Sequence, residues 1–387
     1  MTSSLRVGRI AGIDLHLHWT FGLLLVGAFV YFLVGSDVPT AVWGVGLIAA
    51  VFGCVVLHEL GHALAAARYG IPTRDITLYP IGGVARLARL PDRPGQELVV
   101  ALAGPLVNVA LAALVWGALV VAGQPLGLPT GLAEPTVGFG SNLFWANVGL
   151  ALFNLLPAFP MDGGRVLRAL LALKLEYTRA TRIAAAVGQV MAMLFALLAI
   201  VDGFDPFLLF IALFVYLGAE QEAHATLLRA AARGLTVRDA MLTEFTALGP
   251  ASTLGEAVER LLAGSEQDFP VLGVDGQVSG VLTRVRLVQA LAERDRTSRV
   301  YDVMEPPGPA VEAGAPLDAA LDRLREADPA LLPVLHDGRL VGVLTLENVG
   351  ELMMLAAAVG RRTGGGRTAI LTDLLAPRRE PEARRGT

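Results

Sequence analysis

The chain has 387 residues, 54% of them hydrophobic and only 17% charged, with a mean hydropathy of +0.58. Soluble domains average about 25% charged residues, so an ordinary soluble enzyme is excluded, as is a disordered chain, which would be polar and charge-rich. The single cysteine, Cys54, excludes a disulfide scaffold, and a net charge of −4 offers nothing to nucleic acid.

Charge divides the chain. Residues 1–218 hold 23 of the 66 charged residues, and the remaining 169 residues hold 43. A membrane domain followed by a soluble one is the simplest account. No cleavable signal peptide is expected, because the apolar stretch from Trp19 is not followed by a small-residue cleavage site and a polar mature chain. Six spans are predicted, at residues 19–34, 42–67, 98–122, 143–156, 183–201 and 207–217. A bilayer core about 30 Å thick needs roughly 20 apolar residues, so the fourth and sixth are short. The fourth runs into Pro157 and Pro160, which must break it. Broken helices at membrane depth occur only where they line a site or are buried in protein.

The connecting segments alternate in charge. Arg6 and Arg9 precede span one, and Arg68, Arg74, Arg86, Arg89 and Arg93 follow span two. Arg165, Arg168, Lys174, Arg179 and Arg182 follow span four. The intervening segments carry only Asp37, Glu134, and Asp202 with Asp205. The positive-inside rule therefore predicts a multi-pass protein of the cell membrane, with six crossings and both termini cytoplasmic. Between spans two and three, residues 75–90 alternate weakly around Gly82-Gly83. This predicts a small membrane-associated β-hairpin, whose edge could hold an extended substrate by strand addition.

An ionisable side chain inside the membrane costs roughly 2.5–3.5 kcal/mol and is a functional candidate by default. Span two carries His58-Glu59-Leu60-Gly61-His62. A spacing of four puts both imidazoles on one helix face, where they can reach one metal ion, with Glu59 beside them to act on a water. Histidines snorkelling at a helix end explain this poorly, since three costly side chains fall within five residues. A catalytic zinc site usually has three protein ligands. The break after span four supplies the third candidate, Asp162, where prolines stop the helix and Gly163-Gly164 relax the backbone. Its alternative is a helix N-cap before Arg165. Cys54, one turn before His58, is read as a small buried hydrophobe. Asn108 is read as a helix–helix hydrogen bond beside Gly104, and His16 and His18 as interface anchors.

These residues resemble the site-2 proteases, intramembrane zinc metalloproteases. The likeness is carried by His58–His62, by Asn154 through Gly164, by Gly82-Gly83 and by Ala103 through Asn108, and it covers roughly residues 5–220. It implies one Zn²⁺ held by His58, His62 and Asp162, with Glu59 as catalytic base and Asn154 facing the site to steady the tetrahedral intermediate. The implied substrate is a membrane protein with a transmembrane segment, cut in regulated intramembrane proteolysis.

The second half repeats itself at a shift of 63 residues. Val237–Met241 aligns with Val300–Met304, Leu254–Leu261 with Leu317–Leu324, and Phe269–Leu272 with Leu332–Leu335. Gly280–Thr283 aligns with Gly342–Thr345, a shift of 62, after turns at Asp275-Gly276 and Asp337-Gly338. This resembles a tandem of CBS domains, an α/β pair covering residues 236–355, at about 236–292 and 299–355. The resemblance implies a homodimer and an adenine nucleotide in the cleft. Weak ligand candidates are Thr283, Arg286, Thr345 and Asn348, where Arg286 and Asn348 replace the family's ribose-binding aspartates. Residues 219–235 form a helical linker continuing span six, and 356–387 a largely disordered tail. The expected whole is a polytopic α-helical membrane protease followed by this pair. A CBS-regulated transporter or channel, or an inactive homologue that binds membrane partners, are the alternatives. A transporter predicts polar residues spread along several spans, whereas here they converge on one constellation.

Overall fold

The computed structural model describes residues 4–354, apart from 90, 92, 130–134, 202, 250, 265–267, 275, 327–330 and 353. The predicted tail at 356–387, Glu134, Asp202 and Asp275 lie outside the described residues. The chain divides into two units, Met1–Thr226 and Leu227–Thr387.

The first unit opens with β1 (Ser4–Ile10) and β2 (Ile13–His18), joined by Ala11 and Gly12, whose φ angles of 51° and 83° suit a two-residue hairpin turn. Helices α1 (Trp19–Gly35) and α2 (Val38–Ala67) follow. The Asp37 carboxylate caps α2 by accepting from the Thr40 amide at 3.0 Å, and Pro39 sits in the first turn. Then come β3 (Thr73–Tyr79), β4 (Gly82–Leu87), α3 (Pro94–Val121), α4 (Phe139–Asn154), the short α5 (Asp162–Ala172), α6 (Tyr177–Val201) and α7 (Pro206–Ala232). Among the described residues four helices, α2, α3, α6 and α7, are long and apolar enough to cross a membrane. Helices α1 and α4 have 17 and 16 residues.

The hairpin expected at residues 75–90 is present in β3 and β4, as part of a larger sheet. Strands β3 and β4 belong to a four-stranded sheet of order β1-β2-β3-β4, in which β2 and β3 run parallel. His16 and His18 are residues of β2. Pairing between strands separated by two whole helices leaves no local signal, and the charges of β1 mask its alternation. Leu15, Leu17 and Leu78 of the sheet pack on Val55 and Val56 of α2, which lays the sheet against the helix that carries the histidines.

The break between α4 and α5 is shaped by what it lacks. Pro157 and Pro160 have no amide to continue a helix. A side chain at Gly163 would collide with the Leu155 and Leu156 carbonyls, and one at Gly164 with the Ala158 and Phe159 backbone, so the glycine pair lets the first turn of α5 nest against the break.

Arg168, one of the basic residues that follow span four, is fully buried. Its Nε donates to Glu97 of α3 at 2.8 Å and its Nη1 to Glu222 of α7 at 2.5 Å. The Phe159 and Tyr177 rings stack over the guanidinium at 5.0 and 5.1 Å. Burial alone would lower its pKa, but the two carboxylates more than reverse this, so Arg168 stays charged.

The second unit contains α8 (Val237–Ala240), α9 (Leu254–Ala263), β5 (Asp268–Leu272), β6 (Val278–Thr283) and α10 (Arg284–Glu293). The same plan returns in β7 (Val311–Glu312), α11 (Leu317–Glu326), β8 (Leu331–His336) and β9 (Arg339–Thr345). The repeats exchange their leading segments. Val237 and Ala240 pack in one core with Leu317, Leu332 and Leu344, while Val300 and Val303 pack in another with Leu254, Phe269 and Leu282. Accordingly Met241 lies over Gly342, and Met304 over Gly280.

Candidate metal centre

Helix α2 brings His58 and His62 onto one face, as their spacing requires, and both are 6% exposed. Their Nε2 atoms lie 3.1 Å apart. Asp162, the first residue of α5 and 7% exposed, places Oδ2 3.1 Å from each of them. Asp162 is thus inside the helix with its carboxylate aimed at the histidines, and the N-cap position is that of Met161.

Two imidazole nitrogens and one carboxylate oxygen are a donor set that suits zinc. The 3.1 Å sides of this triangle are close to the edge of a tetrahedron with bonds of about 2.0–2.1 Å. The three residues can therefore hold one ion.

Helix α3 supplies the wall behind them. The Val100 carbonyl accepts from His62 Nδ1 at 2.7 Å, fixing that ring with Nε2 towards the aspartate. A side chain at Gly104 would run into His62 Nε2 and lie 2.6 Å from His58 Nε2, so only glycine leaves room for the centre. Asn108 stands 2.5 Å from His58 Nδ1.

A cavity of about 370 Å³ opens onto the centre, lined by Glu59, Gly82, Val84, Asn154 and Arg165 among others. Glu59 is half-buried, and its Oε2 accepts from the Ala85 amide of β4 at 3.1 Å. Asn154 ends α4 and reaches the same cavity, while its Nδ2 donates to the Leu150 carbonyl at 2.9 Å. Cys54 is buried and accepts from Asn147 Nδ2 at 3.3 Å. The sequence reading did not single out Asn147, Val100 or the Ala85 amide. The first is one of several polar residues of α4 and has no spacing that marks it, and the other two act through the backbone.

In the second unit, Thr283 donates to Glu305 at 3.2 Å and caps α10 by accepting from the Arg286 amide. Arg286 Nε donates to the Val303 carbonyl at 2.9 Å, and Thr345 donates to Asn348 at 2.5 Å. All four candidates thus have partners within their own unit.

The chain matches the model of peptidase family M50 at residues 46–143 and 133–195, and that of the CBS domain at 237–293 and 300–353. A zinc metalloprotease of Methanocaldococcus jannaschii is 31% identical over 355 residues, 92% of this chain and 97% of the relative. The chain belongs to peptidase family M50. This M50 peptidase, of the site-2 protease family, carries a CBS pair. Among solved structures, a site-2 protease from Methanocaldococcus jannaschii is 37% identical, covering 57% of this chain and 95% of that one, with a TM-score of 0.43. The CBS-pair protein CBSX2 from Arabidopsis thaliana is 26% identical, covering 32% of the M50 peptidase and 98% of its own chain, with a TM-score of 0.30.

Proposed function

We propose that the protein is an intramembrane zinc endopeptidase that hydrolyses peptide bonds in or near the transmembrane segments of membrane-anchored substrates. The observation that carries this reading is the buried triangle of His58, His62 and Asp162 opening onto a cavity that also holds Glu59. In this reading the triangle holds one zinc ion. Bound zinc supplies Lewis acidity, polarising a peptide carbonyl and lowering the pKa of a water towards about 7. The Glu59 carboxylate would take a proton from the attacking water and deliver it to the leaving amine. Asn154, whose Nδ2 already gives one hydrogen to the Leu150 carbonyl, would use the second N–H to donate to the developing oxyanion. The test is cleavage of a transmembrane peptide by the full-length protein in detergent, read by mass spectrometry. Cleavage within the apolar segment, lost on chelation and restored by zinc, is expected. A protein that binds no metal would sink the reading.

The substrate lies along β4 in this proposal. What supports this is that β4 is the edge strand of its sheet and that Gly82 through Ala85 line the cavity, the Ala85 amide being engaged there by Glu59. Gly82 has a φ of 143°, which proline cannot adopt. Gly82→Pro is expected to slow cleavage on the order of 100-fold, the effect of a misplacement near 1 Å, with zinc content unchanged. Unaltered cleavage would take the hairpin out of the substrate path.

In the same reading all six apolar helices cross the cell membrane, both termini are cytoplasmic, and the protein takes part in regulated intramembrane proteolysis. The CBS pair forms a homodimer and binds an adenine nucleotide. A ligand at 100 times its Kd stabilises the folded state by about 2.7 kcal/mol. AMP, ADP or ATP should therefore raise the melting temperature of the full chain. If none of the three does, nucleotide regulation is wrong.

A further inference from the structure

Behind the metal centre runs a chain of buried amides that the hydrolytic mechanism does not use. His58 Nδ1 is 2.5 Å from Asn108 Oδ1 on α3. Asn108 Nδ2 is 2.9 Å from Asn147 Oδ1 on α4. Asn147 Nδ2 is 2.9 Å from the carbonyl oxygen of Leu143, one turn back in its own helix. Both asparagines are fully buried, at 0% exposure.

The far end of this chain sets its direction. A backbone carbonyl only accepts, so Asn147 must present its amino group to Leu143 and its oxygen to Asn108. Asn108 must then donate from Nδ2 and turn its oxygen towards His58. An oxygen there only accepts, so His58 Nδ1 carries the proton and Nε2 carries the lone pair. Flipping Asn147 alone would set its oxygen against the Leu143 carbonyl. Flipping Asn108 alone would set oxygen against oxygen at one link, and amino group against Nδ1–H at the other.

We infer that Asn108 and Asn147 are positioning residues that lock His58 in the Nδ1–H tautomer and so hold Nε2 ready as a metal ligand. The inference rests on the metalloprotease reading and deepens it. The two histidines are oriented by different devices on α3. His62 uses the Val100 carbonyl, which no side-chain substitution removes, whereas His58 depends on two side chains.

The rival explanation is that Asn108 only joins α2 to α3 by an interhelical hydrogen bond. The two differ in what rescues them. Asn108→Asp keeps an acceptor for Nδ1–H while losing the donor to Asn147, whereas Asn108→Leu keeps the shape and removes both. The experiment measures zinc affinity of the full-length protein in detergent by competition with a chromophoric chelator. Melting of the metal-free proteins is followed alongside as the structural readout. Asn108→Leu is expected to weaken zinc binding about 10- to 100-fold, the usual effect of losing such a partner, and Asn108→Asp to stay within about threefold of wild type. Asn147→Leu touches neither His58 nor the metal, and it should still weaken binding, by less than Asn108→Leu. It also keeps the test open if Asn108→Leu fails to fold. Undiminished zinc affinity in both leucine variants would overturn the inference, as would an equal loss in Asn108→Asp and Asn108→Leu. A wild-type protein that binds no zinc would overturn the metalloprotease reading beneath it.

Discussion

Replacing Glu59 by glutamine is expected to lower cleavage of a transmembrane peptide by roughly 10²–10⁴-fold, the usual contribution of a positioned general base. Zinc content should remain that of wild type. Glutamine has nearly the same shape, and its oxygen can still accept from the Ala85 amide that Glu59 now engages at 3.1 Å. It cannot take a proton from water. Glu59 lies outside the triangle of His58, His62 and Asp162, so the metal should not notice the change. Zinc by elemental analysis and products by mass spectrometry are read on the same preparation. Wild-type cleavage by the variant would remove Glu59 from the base role. Loss of zinc would make it a ligand instead.

The largest effect on stability is expected at Arg168. Arg168→Leu removes the cation from a site where the Arg168 side chain is 0% exposed, Glu97 6% and Glu222 27%. Breaking a buried pair by deleting one partner typically costs about 3–5 kcal/mol, because the remaining charge stays desolvated. Here two carboxylates are left, and the aromatic faces of Phe159 and Tyr177 lose the cation between them. Phe159 belongs to the break that leads to Asp162, and Glu97 lies one turn before Val100 on α3. Zinc binding should therefore fall together with melting temperature. Arg168→Lys keeps the charge but loses the planar fork that meets two carboxylates at once, and should fall between the two. A leucine variant that melts with wild type would show that this cluster carries no net stability.

Part of this site is legible in the sequence because its residues are expensive where they stand. His58, Glu59 and His62 interrupt an apolar span at helical spacing, and Asp162 follows two prolines that must break another. Physics marks such residues without a structure. Arg168 shows the limit of that logic. A cation in a charge-rich connection is counted with its basic neighbours, and only the fold reveals that two acids more than 50 positions away surround it. Asn108 carries a weaker trace, since a polar residue near Gly104 points to helix contact but does not name the partner. Asn147 leaves no trace, because a hydrogen bond between helices has no fixed spacing. The N-terminal strands fail for a similar reason. Their pairing with β3 is parallel and long-range, and short alternation in a charged segment is not enough to declare it. In the second half the period of 63 residues makes both repeats visible, but periodicity cannot say which copy a given segment packs in.

That last point bears on how the second half is put together. Met241 of one repeat fills the space over Gly342 of the other, and Met304 returns the exchange over Gly280. Each copy therefore carries the lid of its sibling's core and is itself an unfinished globule. Duplication is easy to see in such a chain, but the halves are no longer independent modules. They are bound to change together: a bulkier residue at either glycine meets resistance from a methionine encoded in the opposite copy.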